Sequence, residues 1–215
     1  MKRAILFCNG EINNLSFVAG QIRDDDIIIC CDGGGRYCRE LGVVPDICIG
    51  DFDSLDKRVL ADFTTKGTKC LPYPRDKDYI DLVLGIETAI GEGADSIVVF
   101  AAFGGPRYDM CLGNMLAIAK YDVDICLKDE HNCISCIGAK DNLATYTING
   151  KKGDYISLLA VTPSVGFECS RGLKYDLKGI TLSCGETRGI SNELTDTTAS
   201  VTIGNGKIWL CHFIK

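Results

Sequence analysis

Histidine is nearly missing from this chain: its 215 residues include only His131 and His212. A nucleophile–histidine–acid triad and a histidine-rich metal site are therefore not expected. No run of lysine or arginine occurs, and 23 basic residues face 29 acidic ones, for a net charge of −6. Binding to a nucleic-acid backbone needs cationic side chains against phosphates, so no nucleic-acid partner is expected. Long apolar runs are missing too. The opening run at residues 4–8 is too short for a signal peptide or a membrane span, so a cytoplasmic chain with no membrane partner is expected. There is no low-complexity linker and no internal repeat.

Cysteine is plentiful, with thirteen residues. Without a secretion signal these read as reduced thiols used as small apolar side chains. Cys133 and Cys136 have C-x-x-C spacing, but no second tight pair follows and the segment is a strand-like apolar run. Zinc or redox chemistry is not expected there. Hydrophobic residues make up 46% of the chain and charged ones 24%, ample for a packed core in one large or two small domains.

Apolar runs without alternation at residues 4–8, 27–31, 47–49, 96–101 and 123–127 read as strands buried on both faces, which suits a parallel sheet covered by helices. Helical segments are predicted between them at 15–22, 36–41, 57–65, from Asp81 onward and at 110–120. After residue 128 the pattern changes to short β-branched or alternating runs: 133–137, 143–148, 155–161, 166–170, 201–203 and 207–213. Asn149-Gly150 and Asn205-Gly206 read as turns between them, and no helix is evident. The expected architecture is an α/β N-terminal domain with a mostly parallel, Rossmann-like sheet over residues 1–130. An all-β C-terminal sandwich is expected over 131–215.

The most informative stretch is Ile47-Cys48-Ile49-Gly50-Asp51-Phe52-Asp53-Ser54. In an extended segment residues i and i+2 point to the same side, so Asp51 and Asp53 project together from a strand's carboxyl end. Two adjacent like charges repel unless a hard cation such as Mg²⁺ joins them. The competing reading is an acidic turn that caps the helix starting near Asp56. The loop before the fourth helix adds Asp76, Asp78 and Asp81, where Asp78 is also a candidate N-cap. After the strand at 96–101 comes Gly104-Gly105-Pro106-Arg107-Tyr108-Asp109. Glycines between strand and helix leave N–H groups to face an anion, and Arg107 can add a bidentate phosphate contact. Carboxylates plus a phosphate-type loop point to Mg²⁺-dependent phosphoryl or pyrophosphoryl transfer. A hydrolase with an aspartate nucleophile is the rival, but there the aspartate pair should follow the first strand.

Taken in order, Asp32-Gly33-Gly34, Gly50-Asp51-Phe52-Asp53-Ser54, Asp76-x-Asp78-x-x-Asp81 and Gly104-Gly105-x-Arg107-x-Asp109 resemble the motifs of the thiamine pyrophosphokinase family. Gly172-Leu173-Lys174-Tyr175-x-Leu177 and Ser191-Asn192 are similar to that family's thiamine-binding segments, so the resemblance covers nearly the whole chain. It implies transfer of the pyrophosphoryl group of ATP to the hydroxyl of thiamine, with Mg²⁺, in a homodimer whose active sites lie at the subunit interface. It implies Asp51, Asp53 and Asp81 as metal ligands, and Asp32, Asp78, Gly104, Gly105, Arg107, Asp109 and Asn114 as the rest of the nucleotide site. Asp81 and Asp109 are candidates to take the alcohol's proton. Tyr175 would stack on thiamine, with Ser191 and Asn192 as polar contacts. Met110 departs from the pattern, since many bacterial members carry histidine there; its alternative role is a buried first-turn residue. A pyrophosphokinase acting on another hydroxymethyl heterocycle, such as a pterin, and a non-catalytic nucleotide-binding module are the alternatives.

Overall fold

Ala4, Ile5, Leu6 and Phe7 are all fully buried in β1 (Arg3–Phe7), the central strand of the first unit. The computed structural model describes residues 1–76, 78–139 and 142–215, and the chain divides into two units, Met1–Glu130 and His131–Lys215. In the first unit, strands and helices alternate. After β1 come α1 (Leu15–Ala19), β2 (Ile27–Cys31), α2 (Gly35–Leu41), β3 (Ile47–Gly50), α3 (Lys57–Thr65), β4 (Lys69–Pro72), α4 (Asp81–Gly91), β5 (Ser96–Phe100), α5 (Tyr108–Ile118) and β6 (Asp124–Lys128). The six strands pair in parallel in the order β4-β3-β2-β1-β5-β6. Continuous apolar strands can lie in such a sheet because helices cover its faces.

The chain builds outward from β1 through β2, β3 and β4, then returns to place β5 on the other side of β1. This reversal makes the carboxyl ends of β1 and β5 the switch point of the sheet, and a crevice forms beside the segments that follow them. Strand β4 is absent from the sequence reading, which treats the prolines after Leu71 as an extended loop. Its register, Ile47 opposite Lys69 through Gly50 opposite Pro72, places it at the sheet edge, where a proline lacking an N–H is tolerated.

The second unit holds β7 (Asn132–Ala139), β8 (Ala144–Asn149), β9 (Tyr155–Ala160), β10 (Ser164–Arg171), β11 (Thr181–Ser183), β12 (Asn192–Glu193) and β13 (Thr198–Phe213). The pairings among them are antiparallel. The expected turn at Asn205-Gly206 is not a reversal, because β13 runs through it as one 16-residue strand. Its first half pairs with β8 and β10, its second half with β7 and β9. Gly206, at φ 81°, supplies the bend between the two sets of partners, and Asn205 Oδ1 accepts the Gly166 N–H at 2.8 Å where the β10 ladder slips register. Ile156, Leu158, Val165, Leu194, Val201, Ile203 and Ile208 form the core of this unit, each fully buried.

Cys30, Cys38 and Cys48 are fully buried, and the Cys30 thiol together with burial pushes the Cys48 thiol far above its usual range, as expected of packing residues. Cys126 and Cys133, however, are not among the free thiols. Cys136, the other half of the C-x-x-C spacing, is a half-buried thiol. No helix among the described residues is long and apolar enough to cross a membrane.

Candidate active site

The carboxyl ends of β2 and β3 lie side by side, since Cys31 is opposite Ile49. Directly after them the backbone is strained. Asp32 takes φ 46° as it opens a short 3₁₀ turn over Asp32–Gly34, and Phe52 takes φ 58°. Left-handed geometry at a non-glycine residue costs about 1–3 kcal/mol and tends to persist where function holds it. Its effect here is to bring one carboxylate oxygen each from Asp32, Asp51 and Asp53 within 4.8 Å of one another. Asp32 is only 7% exposed, and its buried Oδ1 has no hydrogen-bond partner among the described groups. Asp51 accepts the Asp53 N–H at 3.2 Å, and Asp53 accepts the Ser54 hydroxyl at 2.9 Å. The capping role belongs to Asp56, whose side chain accepts the Arg58 N–H at 2.8 Å and starts α3.

Three carboxylates, one of them buried with an unused oxygen, fit a small divalent cation with oxygen ligands. Among the described residues the compact group thus joins Asp51 and Asp53 to Asp32, with Asp81 outside it. The signal was present in the sequence: Asp32 and Asp51 both follow an apolar strand directly. That the two strands are neighbours in register is what a linear reading does not supply.

A cavity of about 270 Å³ occupies the crevice between β1 and β5. Of the residues singled out in the sequence, Asp32, Asp81, Gly104, Gly105, Arg107 and Asn114 line it. Asp81 stands in the first turn of α4, which lies close on the sheet: a Cβ at Gly85 would come within 2.7 Å of Cys31 Sγ and 3.0 Å of Leu6 Cδ2. Asp78 is exposed and does not cap this helix, whose N-cap is Ile80 without a side-chain hydrogen bond. Gly104 and Gly105 adopt φ 83° and 78°, which favours glycine at both.

The guanidinium of Arg107 is committed to Asp109 through Nε to Oδ1 at 2.8 Å and Nη2 to Oδ2 at 2.6 Å, with both side chains well exposed. This pairing holds the Asp109 carboxyl down to about 2, which makes it a weak proton acceptor. Asn114 is buried and its Nδ2 donates to the Ala102 carbonyl at 2.8 Å, pinning the loop after β5. Met110 is not the buried residue of the alternative reading: it is 38% exposed and lines the cavity. The sequence reading missed Cys8, Asn9 and Gly10, which form the β1 side of the wall. Nothing in their side chains announces that role; the strand order does.

In the second unit a cavity of about 500 Å³ has Lys174, Tyr175 and Arg188 in its wall and Leu177, Ile180 and Leu182 as its apolar part. Tyr175 is 60% exposed, and Lys174 Nζ lies 5.8 Å from its ring centroid. Asn192 is 4% exposed and holds the Tyr175 backbone at both ends. Its Oδ1 accepts the Tyr175 N–H at 3.0 Å, and its Nδ2 donates to the Tyr175 carbonyl at 2.8 Å. Oδ1 also accepts the Glu193 N–H at 2.9 Å. Ser191 is exposed at φ 61°, and its N–H donates to Ser157 Oγ at 3.1 Å.

A parallel sheet bearing a carboxylate cluster and a glycine-lined cavity at its crevice, followed in the chain by a β-rich unit, is a layout that suits a transferase of the kinase type. The family model described as thiamin pyrophosphokinase, catalytic domain, matches residues 19–128, and that for the vitamin B1 binding domain matches residues 145–208. The chain belongs to the thiamin pyrophosphokinase family. Thiamine pyrophosphokinase of Bacillus subtilis is 26% identical over 210 residues, covering 96% of each chain. Thiamine pyrophosphokinase 2 of Arabidopsis thaliana is 26% identical over 204 residues, covering 84% of this chain and 76% of the relative. Among solved structures, thiamin pyrophosphokinase from Geobacillus thermodenitrificans superposes with a TM-score of 0.83 at 26% identity, covering 100% of this chain and 98% of the other. The Bacillus subtilis enzyme superposes with a TM-score of 0.85 at 24% identity and full coverage of both, a likeness of fold.

Proposed function

We propose that this chain, as a member of that family, transfers the pyrophosphoryl group of ATP to the hydroxyl of thiamine, giving thiamine diphosphate and AMP. The observation that carries the chemistry is the group formed by Asp32, Asp51 and Asp53 beside the cavity at the β1/β5 crevice. These three carboxylates would hold Mg²⁺, with Asp81 facing the same space from the start of α4. Bound Mg²⁺ supplies charge neutralisation for phosphate oxygens that the carboxylates alone would repel.

The remaining work falls to the chain's own groups. Gly104 and Gly105 let the backbone approach a phosphate closely, and Arg107 leaves Asp109 to meet a phosphoryl oxygen. Asn114 keeps that loop in place, and Asp78 joins the nucleotide side from the loop before α4. Tyr175 offers its ring to thiamine's cationic thiazolium and flat pyrimidine, Ser191 a polar contact, and Asn192 the positioning of Tyr175. Attack by the thiamine alcohol on the β-phosphorus, with AMP leaving, then depends mainly on alignment and charge. In this reading residues 1–130 are a Rossmann-like nucleotide domain and residues 131–215 a thiamine-binding sandwich. Two copies would form a cytoplasmic homodimer with shared sites. Incubation with Mg²⁺, ATP and thiamine, followed by chromatography for AMP and thiamine diphosphate, tests it. A chain that released ADP or orthophosphate instead would overturn it.

A further inference from the structure

Arg36 stands in the first turn of α2, outside every motif that pointed to the chemistry. Its guanidinium reaches back over the loop that leaves β1. Nη1 donates to Asn9 Oδ1, while Nη2 donates to the Gly10 carbonyl at 2.7 Å and lies 2.9 Å from the Tyr37 hydroxyl. The guanidinium carbon lies 4.5 Å from the Tyr37 ring centroid. Tyr37 in turn donates its hydroxyl to the same Gly10 carbonyl at 2.7 Å. On the other side, the Gly10 and Glu11 N–H groups donate to the Ala101 and Phe103 carbonyls, each at 2.8 Å. The loops after β1, β2 and β5 are thus tied together through Asn9 and Gly10.

This arrangement decides which way the Asn9 amide faces. A guanidinium only donates, so the atom it meets must be the amide oxygen, and Nδ2 takes the opposite edge. The flat amide lies on Gly33, where an added Cβ would fall within 2.6 Å of Asn9 Cγ and 2.8 Å of Nδ2. Glycine at position 33 is needed for this close approach. Asn9 itself lines the cavity shared by Asp32, Asp81 and the Gly104-Gly105 loop. Beside the Asp32 and Asp81 carboxylates, a neutral N–H donor can meet a nucleotide oxygen that those anions would repel.

We propose that Asn9 is a nucleotide-contacting residue, donating from Nδ2 to an acceptor of the bound ATP, and that Arg36 is the positioning residue that fixes this orientation. The proposal rests on the pyrophosphokinase reading above. The probe is α,β-methylene ATP with Mg²⁺, whose bridge resists cleavage, titrated calorimetrically into the full-length protein. Asn9→Ala weakens binding by about tenfold, the scale of one hydrogen bond to a charged group. Asn9→Asp keeps an acceptor for Arg36, loses the donor and adds a negative charge, so it binds more weakly than Asn9→Ala.

Arg36→Lys keeps the charge without the fork and weakens binding in the wild-type background. In the Asn9→Ala background its further effect stays below about twofold, because it acts through Asn9. Thiamine affinity stays the same in all four variants, which a general loss of folding would not allow. Unchanged analogue affinity in Asn9→Ala or Asn9→Asp overturns the proposal, as does an equal loss from Arg36→Lys in both backgrounds. A wild-type protein that binds no analogue removes the pyrophosphokinase reading, and this proposal with it. Tight wild-type binding with indifferent variants removes this proposal alone.

Discussion

At Asp32 a buried carboxylate oxygen lacks a hydrogen-bond partner, and two further carboxylates lie within 4.8 Å. Such a group opposes folding until a cation arrives. Asp32→Asn should therefore have two opposite effects. In the presence of a chelator, thermal denaturation should show the variant more stable by about 1 kcal/mol, the scale of removing one of several like charges a few ångströms apart. With Mg²⁺ and substrates, its turnover should fall at least about 10²-fold, as should that of Asp51→Asn and Asp53→Asn. Normal turnover of all three at low Mg²⁺ would remove the cation assignment.

Asp109 is a separate case. Its carboxyl lies at about 2, below the usual 3.8, because Arg107 hydrogen-bonds to it. The depressed value means that its contribution to stability is present above the ordinary carboxylate range and disappears as pH falls toward 2. Near neutrality Asp109 stays ionised and is a poor base. Asp109→Asn should cost less than about tenfold in kcat, against the loss of at least about 10²-fold at Asp51. A drop at Asp109 as large as that at Asp51 would return it to the role of base.

Two elements are held by contacts that can be tested directly. Helix α4 carries Asp81 to the cavity, and its approach depends on Gly85 lying against Cys31 and Leu6. Alanine is the better helix former by roughly 0.5–1 kcal/mol. The new methyl has no room, however, and overpacking of a tight contact costs about 1–3 kcal/mol. Gly85→Ala should therefore lower the urea midpoint and raise the KM for ATP by displacing the first turn of the helix. A variant as stable as wild type with unchanged KM would show that the helix can shift freely.

In the second unit, Asp154 is 1% exposed and joins the turn before β9 to the end of the chain. Its Oδ2 accepts the Lys151 N–H and lies 2.9 Å from His212 Nε2, while Oδ1 accepts the Lys215 N–H at 3.2 Å. Burial pushes this carboxyl up, but the donors around it bring it below its usual value. Its stabilisation is therefore present above the ordinary carboxylate range and lost as pH falls through the lowered value. Asp154→Ala leaves buried donors unpaired and should destabilise the protein by about 1–3 kcal/mol. The difference from wild type should shrink in acid, as followed by tryptophan fluorescence of Trp209.

For the whole molecule, the proposed shared site makes a complementation test decisive. Tyr175→Ala removes a stacking ring worth about 0.5–2 kcal/mol to a thiazolium, and Asp51→Asn removes a cation ligand. If one subunit supplies the ring and the other the carboxylates, a mixed dimer has one site with both defects and one with neither. Mixing the two variants should restore part of the activity, and a verified heterodimer without any gain would rule out sharing.

The layout of the fold was largely legible in the chain. Uninterrupted apolar runs are enough to place β1, β2, β3, β5 and β6, because burial on both faces demands that pattern whatever the neighbours are. The Asp51 and Asp53 spacing and the glycines before Arg107 stand out in the chain, but the aspartate pair is not on an extended segment, since Phe52 between them takes φ 58°. Tertiary structure decided the rest, because it depends on which strand lies beside which. Asp32 joins Asp51 and Asp53 only because β2 and β3 are neighbours in register. Asn9 reaches the cavity only because β5 returns to the far side of β1. The Asn205-Gly206 segment bends instead of reversing because its two flanks find different partners in β8 and β10 and in β7 and β9. Asn192 lines the second unit's cavity and also holds the Tyr175 backbone at both ends, a role that depends on long-range pairing. Local pattern sets what each segment can become, and long-range pairing sets which side chains meet.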